Sequence, residues 1–283
     1  MTAPATTSVK APARVSARFL RAGGAILAGL AVIAVAAPIL APHDPEAFEV
    51  SRVLGAPTLR HPFGSDVLGR DVLSRVLYGL RVSLLVSVSA VAASLLLAVP
   101  LGLLAGYFGR WTDTAISRTL DMVLILPAML LAITFIAILG PGSVIAAIAI
   151  AVIYLPILAR VMRTATLVVT RNDYIAGARA RGASHLRVIV SHVAPNALGP
   201  VIVQASVLSA FALQLEAGLS FLGLGTQPPT PSLGGMLADG RDVLIQAPWV
   251  EIFPGLAIVI AVLGFTFVGE GLRRAFDPHG VAE

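Results

Sequence analysis

Cysteine is absent from the 283 residues, so the chain has no disulfide, no thiolate metal ligand and no cysteine nucleophile. Lysine is nearly absent too. Lys10 is the only one, and it excludes a phosphate-cradling loop ending in Gly-Lys-Ser/Thr anywhere downstream. Charge of both signs is scarce, at 12% of residues against about 25% in an average soluble domain. Hydrophobic residues make up 57% of the chain, which excludes intrinsic disorder. The net charge of +5 lies in short gaps between apolar runs and forms no single basic face, so nucleic acid is not a partner. No His-Glu-x-x-His occurs. His185 and His192 are spaced to share a helix face, but no carboxylate stands at i±3 or i±4 to complete a ligand set, so no metal site is assigned. No nucleophile–base pair of an enzyme is recognisable.

What remains is apolar, with a mean hydropathy of +0.89. A bilayer core needs roughly 20 apolar residues per helical crossing. Six runs qualify: 22–41, 82–106, 119–139, 143–162, 197–222 and 250–269. The expected class is an all-α polytopic membrane protein with six transmembrane helices. The first run follows Lys10, Arg14, Arg18 and Arg21 but is longer than the core of a signal peptide, so it reads as an uncleaved span. Gly140-Pro141-Gly142 makes a tight turn between the third and fourth runs. With the N-terminus inside, 14 basic residues fall on inner segments and six on outer ones. That bias predicts a multi-pass protein of the cell membrane with both termini cytoplasmic. The expected organisation is a cytoplasmic tail over 1–21, an outer loop over 42–81, a five-helix core over 82–272 and a second cytoplasmic tail over 273–283. The Pro-rich segment 223–249 is expected outside and ordered.

Segment 171–196 is too long for a plain connection. Asn172 or Asp173 can cap a helix over 174–181 carrying Tyr174, Ala178 and Arg181. Gly182 interrupts it, where a positive φ is useful. A second helix over 184–193 places Leu186, Ile189, Val190 and Val193 on one apolar face, and Pro195 is expected to end it. The small residues Ala176, Gly177, Ala178, Ala180 and Ala183 would let another protein approach closely; a solvated basic linker is the alternative. Among membrane-depth polar groups, Gln214 and Glu216 on the fifth span are candidates for a pathway or gate, though about 200° apart on the helix. Structural pairing of Glu216 is the competing reading. Asp121 is expected to pair with Arg118 at i−3, and Glu270 with Arg273 and Arg274. Prolines 38, 100, 127, 156 and 254 lie within spans and can kink them.

The spacing Ala178, Gly182, Pro195 resembles the EAA loop of binding-protein-dependent ABC-transporter permeases. That motif runs Glu-Ala-Ala, three residues, Gly, nine residues, Ile, one residue, Leu-Pro. Here Ala176, Gly177, His192 and Ala194 occupy the other motif positions. The run His61-Pro62-Phe63-Gly64-Ser65-Asp66, continuing to Arg70-Asp71 and Ser74-Arg75, resembles the segment before the second span in the second permease of dipeptide, oligopeptide and nickel importers. So do Ser220–Gly225 with Gln227-Pro228-Pro229, and Gly269–Arg273 followed by Asp277-Pro278. The resemblance implies a type I importer permease fold and half of a translocation pathway for peptides. It implies as partners a homologous second permease, ABC ATPase subunits holding ATP and Mg, an extracytoplasmic solute-binding protein and the lipid bilayer. No cofactor is implied on this chain, and no catalytic residue. The ATPase-coupling residues would be Asp173, Tyr174, Ala178, Arg179, Gly182 and Pro195. Import of nickel or another small solute is the alternative within the family. A self-contained secondary transporter is the alternative outside it, disfavoured because no ionisable residue stands at the middle of any span.

Overall fold

The computed structural model describes residues 12–276; Lys10, Asp277 and Pro278 lie outside them. Long helices dominate. They are α1 (Pro12–Leu40), α2 (Val72–Phe108), α5 (Ser143–Thr170), α8 (Ala194–Phe221) and α10 (Trp249–Phe276). Between them lie α3 (Arg110–Leu124), α4 (Ala128–Leu139), α6 (Asp173–Ala180), α7 (His185–Val188) and α9 (Leu233–Gly240). Five helices are long and apolar enough to cross a membrane alone.

The expected third span is broken. Over 119–139 the chain is not one helix: α3 and α4 meet at 86°. Pro127 is the cause, because it lacks an N–H and its ring disfavours helical backbone at Leu126. Taken together the pair is long and apolar enough for one crossing. Helices α2 and α5 run parallel, since Ser94 Oγ donates to Ala151 O at 2.7 Å while Gly102 packs on Ala159 and Met162 further along both. This register sets Ser143 level with the Val86 region of α2. From the end of α2 at Phe108, α3 and α4 must therefore return the chain through roughly 30 Å of height, about one hydrocarbon thickness.

Close approach holds α2 against α5. A Cβ on Gly102 would stand 2.6 Å from Ala159 O, so only glycine permits this contact. Ser94 satisfies its hydroxyl at the same interface. Helices α1 and α10 run antiparallel: Leu20 meets Gly271, Leu27 meets Gly264, and the Phe19 and Phe267 rings lie 5.7 Å apart edge to face. The start of α1, the end of α10 and residues 171–196 thus share one end of the bundle. Residues 41–71 and 222–248 pack together at the other.

That second assembly is a folded cap, not an open loop, and α2 already begins at Val72, ten residues before the expected span. Asp66 sits 2% exposed, with its Oδ1 accepting from the backbone N–H groups of Leu68 and Arg70, both at 2.9 Å. Its Oδ2 lies 2.6 Å from Arg70 Nε and 3.3 Å from Arg75 Nε. Asp239, from α9, faces both arginines at 3.0 and 3.7 Å. Trp249 Nε1 donates to Ser65 O at 3.1 Å, and Phe63 stacks on Phe253 at 3.8 Å. The expected order in 223–249 is present: Ser232 accepts from Gly235 N–H at 3.2 Å and caps α9.

Candidate functional site: the 171–196 end

The loop 171–196 folds as a short helix, a glycine turn and a second helix. Asn172 precedes α6 but makes no side-chain cap. The turn closes through Gly182 N–H donating to Arg179 O at 2.9 Å and Ala183 N–H to Ala178 O at 3.2 Å. Gly182 has φ +82°, and a Cβ there would meet nothing within 4 Å. Backbone conformation, not space, requires glycine here. Ser184 caps α7, accepting from Arg187 N–H at 3.4 Å.

Pro195 does not end the second helix. The chain stays helical from His185 to Phe221 through a π-helical stretch, Ile189–Val193. Pro195 sits in the first turn of α8, after this widened turn, which accommodates a residue without an N–H. The π stretch also splits the expected apolar face. Ile189 and Val193 turn inward with Val188, whereas Leu186 is 72% and Val190 58% exposed.

The candidate residues therefore separate. Asp173, Tyr174, Arg179, Gly182 and Pro195 are exposed. Ala178 is not: with Ile175 it packs into the chain's own core and cannot be an approach point for another protein. Ala176 and Ala180 keep that possibility. A residue outside the motif anchors the knob. Tyr107, at the end of α2, hydrogen-bonds His185 Nδ1 at 2.9 Å, and the Arg179 guanidinium lies over its ring at 4.8 Å. Nothing in the local sequence marks Tyr107, which lies 78 residues from His185.

Asp121 pairs with Arg160 of α5 at 2.7 Å, not with Arg118. Arg163 also grips Asp113, so two ion pairs tie α3 to α5. Helix-to-helix contact supersedes the i−3 spacing because α3 lies against α5 where both carry opposite charges. The expected pairs of Glu270 are present, with Arg273 at 3.3 Å and Arg274 at 2.6 Å. Between α5 and α8, Arg160, Thr164, Asn196 and Gln204 line a cavity of about 600 Å³. Gln214 is exposed. Glu216 is buried, with Oε1 accepting from Ser220 Oγ at 2.8 Å. Its Oε2 is buried without a hydrogen-bond partner among the described residues.

The arrangement defines a multi-pass helical membrane protein. Residues 98–279 match the family model described as the binding-protein-dependent transport system inner membrane component, and the chain belongs to that family. It is 43% identical to a dipeptide transport system permease protein, DppC, of Alkalihalophilus pseudofirmus, over 89% of this chain and 83% of that one. It is 41% identical to a glutathione transport system permease protein, GsiD, of Pectobacterium atrosepticum, over 92% and 89%. A solved structure of the inward-facing MetNI methionine ABC transporter shares the fold at a TM-score of 0.58 and 20% identity, covering 72% of this chain and 95% of that one.

Proposed function

We propose that this chain is a peptide permease subunit, one half of a translocation pathway, driven by ATP hydrolysis on partner ATPases. The family match carries the transport reading, and the names of the 40%-identity relatives carry the peptide reading. The shape of residues 171–196 supports the coupling role: an exposed knob with Leu186 and Val190 uncovered has apolar area that a partner would remove from water. On this reading 171–196 and both termini are cytoplasmic, ATP and Mg stay on the partner, and the cap meets the solute-binding protein. ATP-driven closure of the ATPase pair would move the knob, and α5 and α8, continuous with it, would carry that motion across the membrane.

The test is reconstitution of the chain with its second permease, ATPases and binding protein. Dipeptide-loaded binding protein should stimulate ATP hydrolysis. Uptake persisting without ATPases would overturn the reading in favour of a secondary transporter. A cysteine placed at Ser184 should label only from inside, in a chain with no other cysteine.

A further inference from the structure

We infer that His43, His61 and Asp71 form a binding site for one divalent transition-metal ion of the zinc class, which staples the cap. The three residues each bring one ligand atom to within 4.8 Å of the other two. His61 Nδ1 lies 2.8 Å and His43 Nδ1 3.8 Å from Asp71 Oδ1. Ligands bonded to tetrahedral zinc at about 2.0–2.1 Å stand about 3.4 Å from one another. The two separations straddle that value, and the stacked rings, now 18° from parallel, would splay so that both Nδ1 lone pairs converge on the ion.

The surrounding groups preset the carboxylate. Asp71 Oδ2 accepts from Ser74 N–H and Ser74 Oγ, both at 2.8 Å, which leaves Oδ1 to the imidazoles. Ser74 Oγ in turn accepts from His43 N–H at 3.2 Å. One serine thus orients the acid and positions a histidine, the outer-shell arrangement that metal ligands need. His61 and Asp71 are buried, whereas the His43 side chain is 39% exposed, so three protein ligands leave an open position for water. Entry is through a cleft of about 660 Å³ lined by His43, Asp44, Glu46 and Tyr78, whose two acids attract cations. Two imidazoles and one carboxylate favour zinc, nickel or copper over magnesium or calcium, which prefer all-oxygen shells.

The ion would join the segment after α1, the segment before α2 and the first cap of α2. The role is structural, separate from transport, and does not depend on the peptide reading. The two imidazole rings stack at 4.3 Å between centroids.

The experiment uses the full chain in detergent, purified without a histidine tag and stripped with a chelator. Incubation with micromolar zinc chloride, followed by desalting and elemental mass spectrometry, should find one zinc per chain. Zinc should raise the unfolding temperature, and magnesium chloride should not. Cobalt should give the intense visible bands of a four-coordinate site. His43→Ala keeps the His61–Asp71 contact and should leave the stripped protein's unfolding temperature unchanged while abolishing retention and the zinc-dependent rise. Ser74→Ala should weaken zinc about tenfold. Retention of no zinc by the native chain, equal retention by His43→Ala, or an equal response to magnesium would each overturn the site.

Discussion

The two ends of the bundle solve opposite problems. At the cap end, charge is buried and paired: Asp66, Arg70 and Arg75 are all at most 5% exposed and form ion pairs among themselves and with Asp239. At the 171–196 end, apolar groups are exposed and unsatisfied: Leu186, Val190 and Tyr174 point away from the core. A buried ion network loses heavily if one member is removed, because the others keep their desolvation cost. An exposed apolar group loses nothing in the isolated chain and gains only when covered. The cap end is thus tied by its own ion network, whereas on the proposed reading the knob end is covered by a partner.

This contrast makes graded predictions. Asp66→Ala should have the largest effect, leaving Arg70 and Arg75 with Asp239 alone and costing about 3–5 kcal/mol. It should appear as a sharply lower unfolding temperature in detergent. Near-native stability would show that the cap network is not holding the fold. Gly182→Val comes next. With open space around the position, its only intrinsic penalty is a β-branched residue at positive φ, about 1–2 kcal/mol. The chain should fold and insert while transport falls steeply, and Gly182→Asn should retain most activity because asparagine tolerates that conformation. Equal transport by the valine variant would separate the turn from coupling.

Leu186→Asp should leave stability within about 0.5 kcal/mol, as for an ordinary surface change, and reduce co-purification of the ATPase. A stability loss with intact co-purification would reverse the contrast drawn between the ends. Asp121→Asn should have the smallest effect. Its bond to Arg160 joins side chains 46% and 60% exposed, and such pairs contribute about 0–1 kcal/mol. A larger loss would make this pair, and not the cap, a main tie of the bundle.

Several features were legible because they depend on neighbours in sequence. Span count and the Gly182 turn follow from apolar run length and from what a residue without a Cβ permits. The positive φ at Gly182 needed no tertiary information. The i+3 and i+4 pairs of Glu270 were legible for the same reason, since the helix that holds them is local.

Tertiary structure decided what depends on distant partners. Asp121 took Arg160 over Arg118 because α5 lies against α3, and Ala178 turned inward because Ile175 beside it belongs to the core. Tyr107 meets His185 only through the bundle's closure, and His43, His61 and Asp71 meet only when the end of α1 is folded against the start of α2. Pro127 stood in the sequence as a kink site. The 86° bend there, and the π turn ahead of Pro195, appear only in the folded chain. Sequence by itself determined which segments must leave water, because apolar area is a local sum. Which side chains face one another was decided by helix register, and register is a property of pairs of helices that no single segment encodes.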